Sequence, residues 1–103
     1  MIELTRLTTR LRALVFVNTR KACQQAADQI RKQYVEALSD TRPQPLPWHQ
    51  PEESLEAEDK GLNSLLKYGI GFHHAGLGFH DRQLVEHSFT RSILSVVVCT
   101  TTL

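Results

Sequence analysis

Cysteine is scarce in this chain, with only Cys23 and Cys99 among 103 residues. The two lie far apart in apolar surroundings, which excludes a disulfide framework and points to buried, reduced thiols in an intracellular protein. Neither C-x-x-C nor H-E-x-x-H occurs, so the five histidines lack a metal-binding spacing. An excess of one charge is also missing: twelve Lys and Arg against eleven Asp and Glu give a formal net charge of +1. No global field draws such a chain onto a polyanion, and any contact of that kind has to come from local geometry. No apolar run approaches the roughly 20 residues of a membrane helix, and the N-terminus has no signal-peptide pattern. The four prolines are confined to positions 43 to 51, together with the single tryptophan, Trp48. Such a segment sustains neither a helix nor a central strand, so a surface loop is expected at about 40–51. Trp48 reads better as an anchor tucking that loop against the domain than as a base-stacking aromatic.

What is present fits one small α/β domain, 41% hydrophobic and near the lower end of what buries a core unaided. Ile2, Leu4, Leu7 and Leu11 fall partly on one helical face, which suggests a short amphipathic helix at the start. Residues 13–17, Ala-Leu-Val-Phe-Val, form an unbroken apolar run of the kind buried on both faces of a parallel sheet. Asn18 and Thr19 offer a cap to a helix over 20–38, in which Ala22, Ala26, Ile30, Tyr34 and Leu38 recur every four residues. Pro51 followed by Glu52 and Glu53 suggests another helix start, with Gly61 interrupting and Leu62, Leu65 and Leu66 forming an apolar patch. Residues 70–73 are expected as a short strand and Gly76 and Gly78 as a turn with unusual backbone angles. Asp81 suits a helix N-terminus, Leu84, Val85 and Phe89 a buried helix face, and 93–99 a β-branched strand. This order fits right-handed βαβ units and a parallel sheet flanked by helices.

Three blocks carry more. They are Ala13-Leu-Val-Phe-Val-Asn-Thr-Arg-Lys-Ala22, then Tyr68-Gly-Ile-Gly-Phe-His-His-Ala-Gly-Leu-Gly-Phe-His-Asp-Arg-Gln-Leu-Val-Glu-His-Ser-Phe89, then Leu94-Ser-Val-Val-Val-Cys-Thr-Thr-Thr-Leu103. In this order they resemble the second RecA-like domain of superkiller-type superfamily two helicases, with motif IV first and the start of motif V last. The resemblance covers most of 13–103, is specific over 68–103 and is thin between 40 and 62. The family's phosphate loop, G-x-x-x-x-G-K-[ST], and its metal-holding D-E-x-H or D-E-x-D segment are absent here. The resemblance therefore implies one partial RecA-like domain over 1–103. ATP and Mg²⁺ belong to the full-length parent, a first RecA-like domain is the intramolecular partner, and translocation runs 3′ to 5′. On its own the chain is not expected to hydrolyse ATP.

Ligands of open parallel sheets gather at the carboxyl ends of the strands, and each of the three expected strands ends in polar residues. Asn18, Thr19 and Arg20 follow the first, His73, His74, Ala75 and Gly76 the second, and Thr100, Thr101 and Thr102 the third. Hydroxyls, helix N-terminal amides and a guanidinium fork suit phosphate oxygens and read no base. The resemblance implies that Thr19, Arg20, His74, Gly76, Thr100, Thr101 and Thr102 touch the sugar-phosphate backbone of a single strand of DNA or RNA. It also implies that His73 packs inside. Each has a plainer alternative: Thr19 as a helix cap, Arg20 as a solvated side chain, the threonines as strand formers. Adjacent strand residues point to opposite faces, so His73 and His74 are not expected to share a metal ion, and Cys23 and Cys99 read as core residues. A different class of function stays open, a non-enzymatic α/β interaction module that binds a protein through its proline-rich loop.

Overall fold

The structure is a computed structural model that describes residues 2–7, 10–40 and 46–100. Strands β1 (Ile2–Leu7) and β2 (Arg10–Phe16) are followed by helices α1 (Arg20–Ser39) and α2 (Lys60–Leu66). Strand β3 (Ile70–His73), helix α3 (Phe79–Thr90) and strand β4 (Val96–Cys99) complete the order. The four strands form one sheet in the order β1-β2-β4-β3. Strands β2, β4 and β3 run parallel, and β1 pairs antiparallel with β2. The parallel part with its flanking helices is a partial RecA-like α/β fold, as the sequence suggested.

The first element departs from expectation. Ile2 and Leu4 alternate with Glu3 and Thr5 in a strand whose ladder runs from Ile2 opposite Val15 to Leu7 opposite Arg10. A helix of about ten residues is marginal in water, whereas pairing with β2 supplies partners to the backbone groups on the inner edge of β1. The second helix also starts later than Pro51 suggested. Residues 51–59 are non-helical, and α2 begins after Asp59, whose carboxylate caps the Leu62 amide at 2.9 Å. Proline at a first helical position and nearby carboxylates permit a helix start without compelling one, and no side chain caps a helix at Pro51. Gly61 thus sits in the first turn of α2 and interrupts nothing.

Thr19 caps α1 by accepting from Ala22 at 3.0 Å, and Cys23, Ala27 and Tyr34 make its buried line. The expected stripe lay a little to one side: Ala26 and Ile30 are only partly buried, and Leu38 is exposed. Alternation along β3 sends Gly71 and His73 toward α3, where a side chain at Gly71 would meet Leu94 and Val85. Ile70 and Phe72 take the other face, toward α1 and α2, so helices cover both sides of the parallel strands. Arg12 in β2 lies over the Phe89 ring at 4.4 Å, joining the sheet to the end of α3. In α3 it is Val85 that is fully buried, with Leu84 and Phe89 only partly so.

Left-handed backbone occurs at Gly69, φ +78°, and at Ser92, φ 62°, among the described residues. Gly69 ends the helical stretch, donating to Leu66 at 2.9 Å, the place where glycine costs least. Gly76 and Gly78 do not adopt the unusual angles expected of them.

Candidate nucleic-acid interface

The three parallel strands end level with one another, because Phe16, Cys99 and His73 lie in one row across the sheet. Two further hydrogen bonds bind the segments that leave it: Val17 donates to Cys99 at 2.9 Å and Thr100 donates to His73 at 3.3 Å. The turns after β2, β3 and β4 are therefore held side by side, as the expected site requires. Arg20, in the first turn of α1, reaches across to the turn after β3. A Cβ at Gly76 would stand 2.9 Å from the Arg20 Nη1 and 3.1 Å from the His74 ring. Glycine at 76 is thus a matter of room and not of backbone angle.

His74 is positioned from both sides. Its ring stacks on Phe72 with centroids 5.5 Å apart and planes 8° apart, and Nδ1 accepts from the Gly76 amide at 3.0 Å. That bond needs an unprotonated Nδ1, so neutral His74 carries its proton on Nε2 and keeps one donor there. Burial lowers the His74 pKa, and the Arg20 guanidinium and His73 lower it further against the opposing pull of Asp59. At neutral pH the edge therefore combines a fixed guanidinium with a neutral imidazole donor. His73 turns the other way, 9% exposed, with Nε2 2.9 Å from the Glu86 carboxylate on α3. The two histidines do not converge, and the described residues contain no group of three His, Cys, Asp or Glu placed to hold a metal ion.

Sequence reasoning missed the start of α2. Gly61 packs against Gln24 of α1 and the Asp59 carboxylate, and Asp59 acts electrostatically on His74, so this segment also borders the edge. Its anchor is Asp81, 3% exposed in the first turn of α3. One Asp81 oxygen accepts from the Glu58 amide and the other from the Asp59 amide, each at 2.9 Å. The usable signal was Asp59 three residues before Leu62, a capping pattern that the Pro51 reading obscured.

Thr19 is a helix cap at the margin of this edge, and Thr100 is partly exposed beside His73. Thr101 and Thr102 lie outside the described residues. Trp48 is a loop anchor at the opposite end of the strands: it stacks on Tyr34 with centroids 4.7 Å apart and donates to Tyr68 at 2.6 Å. Tyr34 in turn donates to the Trp48 carbonyl at 2.7 Å. Cys23 and Cys99 are free and buried. Burial, and then the neighbouring Cys99, push the Cys23 thiol up to about 11, and burial raises Cys99 too, which suits core residues and not nucleophiles. No helix among the described residues is long and apolar enough to cross a membrane.

No protein-family model matches the chain. It is 38% identical over 90 residues to the probable ATP-dependent DNA helicase HFM1 of Xenopus tropicalis, an alignment covering 87% of this chain and 6% of the relative. It is 38% identical over 93 residues to the ATP-dependent DNA helicase Hel308 of Pyrococcus horikoshii, covering 88% of this chain and 13% of the relative. The MER3 homologue of Oryza sativa, also an ATP-dependent DNA helicase, is 36% identical over 95 residues, covering 88% of this chain and 8% of the relative. The chain therefore spans only a small part of the length of the curated relatives it matches. With the motif order, the parallel sheet and this similarity along most of its length, the chain belongs to the superkiller-type (Ski2-like) helicases.

Proposed function

We propose that this chain forms part of the second RecA-like domain of an ATP-dependent helicase, and that its strand-end edge holds the sugar-phosphate backbone of a single nucleic-acid strand. The observation that carries this reading is the meeting of Arg20, His74 and Gly76 between strand ends bound to one another. A guanidinium fork and an imidazole donor, brought together by a glycine that leaves room for both, make a surface suited to phosphate oxygens. Thr19 and Thr100 flank it, and Thr101 and Thr102 follow in sequence. In the parent protein ATP and Mg²⁺ would bind between this domain and a first RecA-like domain, whose opening and closing moves the held strand stepwise, 3′ to 5′. The names of the relatives favour DNA as the strand. Few charges take part, so this chain by itself binds single strands weakly and loses affinity as salt rises.

The test is Arg20→Ala combined with His74→Ala in the full-length protein, titrated with two single strands of unrelated sequence. Similar weakening on both is the expected result, since the contacts go to backbone. Unchanged affinity on both would remove these residues from the site, and loss on only one would point to base readout.

A further inference from the structure

We infer that Phe79 and Arg82, on the exposed face of the first turn of α3, form a nucleotide station in which the Phe79 ring stacks on an unpaired base and Arg82 contacts the adjoining phosphate. The inference rests on the strand-holding edge proposed above and extends it from backbone to base. Phe79 is 67% exposed, and the only other large hydrophobic residue exposed among the described residues is Leu38, in the last turns of α1. A lone apolar side chain on a surface is ordinary, so its surroundings decide. Phe79 lies three residues beyond Gly76, within about 11 Å of chain, and directly follows the turn that holds His74. Around the intervening Gly78 the space is open, with nothing within 4 Å of where a Cβ would stand. A strand laid on Arg20 and His74 thus finds the ring uncovered beside it.

Arg82 is the independent observation. It stands three residues after Phe79 on the same helix, so the two side chains share a face. It is partly buried, and its side chain makes no hydrogen bond or ion pair among the described residues; the Nε is shielded from solvent, so the outer Nη donors are the ones left to an anion. A guanidinium held against the surface with part of its donor set unused suits an anion, and beside an aromatic ring the anion that fits is the phosphate of a stacked nucleotide. Stacking tolerates every base, so the station adds affinity without sequence preference.

The full-length protein is compared on two strands of equal length, one a deoxythymidine oligomer and the other an abasic sugar-phosphate chain. Phe79→Ala should weaken the base-bearing strand roughly 5- to 100-fold and leave the abasic strand unchanged. Phe79→Trp should retain binding and Phe79→Leu should not, while Arg82→Ala should weaken both strands. Equal loss on both strands with Phe79→Ala, or no loss, overturns the stacking role. Full rescue by leucine overturns it as well, since it identifies a protein-facing apolar contact such as a domain interface. The paired change at Arg20 and His74 separates the two readings. If that change leaves the abasic strand bound while Phe79→Ala still discriminates, the backbone-holding edge fails and the station stands.

Discussion

Removing the Asp81 carboxylate should unfasten the start of α2 from α3 at a cost that the geometry sets. Its two oxygens accept from the amides of Glu58 and Asp59 at 2.9 Å each, in a side chain 3% exposed. Hydrogen bonds to a charged group are worth about 1.5–3 kcal/mol each. Glu58 and Asp59 are themselves exposed, so water recovers part of the loss. Asp81→Ala should then cost about 2–4 kcal/mol, and Asp81→Asn, which keeps one acceptor, about 1–2 kcal/mol. A domain of this size has about 5–15 kcal/mol in all, so the alanine change is a large fraction. Urea unfolding followed by circular dichroism reads it as a midpoint lowered by about 1–2 M. The pH dependence is a second readout. Burial alone would raise the Asp81 pKa, but the two amides and His80 outweigh it and leave it lowered. A carboxyl with a lowered folded pKa contributes stability above its unfolded pKa of about 3.9, and that contribution is lost as pH falls through the folded value. The gap between wild type and Asp81→Asn should therefore be full at pH 7 and close below about pH 4. An alanine variant within 0.5 kcal/mol of wild type, or a gap independent of pH, would refute the reasoning (the threshold is about the scatter of surface substitutions).

Other perturbations probe the remaining joints. Gly69→Ala places a Cβ at φ +78° and 3.1 Å from the Trp48 Nε1, so it should cost about 1–3 kcal/mol and shift Trp48 fluorescence; an unshifted spectrum would mean that the anchor is not held as described. Gly76→Ala meets only the ends of Arg20 and the His74 ring, so unfolding should change by under about 0.5 kcal/mol while strand binding falls as for Arg20→Ala. Cys23 and Cys99 should react with thiol reagents only on unfolding, and fast labelling of both in buffer would contradict their place in the core. This chain alone should release no phosphate from ATP above a mock preparation, with or without single strands.

Which elements could be read beforehand depended on whether their signal was local. Residues 13–17 announced a strand buried on both faces; β2 was found there with Ala13 buried but Leu14 to Val17 only partly so, and it begins at Arg10 because its partner β1 extends the ladder. Helix α1 followed from Thr19 and a four-residue apolar repeat, and β3 and β4 from short β-branched or apolar runs. By contrast Ile2 to Leu7 admits either period, and only the neighbouring strand resolves it. Over residues 51–66 the start expected at Pro51 is not the one realised: α2 is capped by Asp59, whose amide is tied to Asp81 more than twenty positions away.

For the site, the resemblance together with the polar residues after each strand put Arg20, His74 and Gly76 forward as candidates, because ligands of parallel sheets collect at the strand ends. Their contacts belong to the tertiary structure: that Arg20 reaches Gly76, that the His74 ring rests on Phe72 and takes the Gly76 amide, and that His73 turns to Glu86. So do the burial of Asp81 and the exposure of Phe79, which neighbour each other in one helical turn and have opposite fates. Local periodicity is a property of the chain and survives in its sequence. Register, reach and burial depend on which distant segments pack together, and packing decides them.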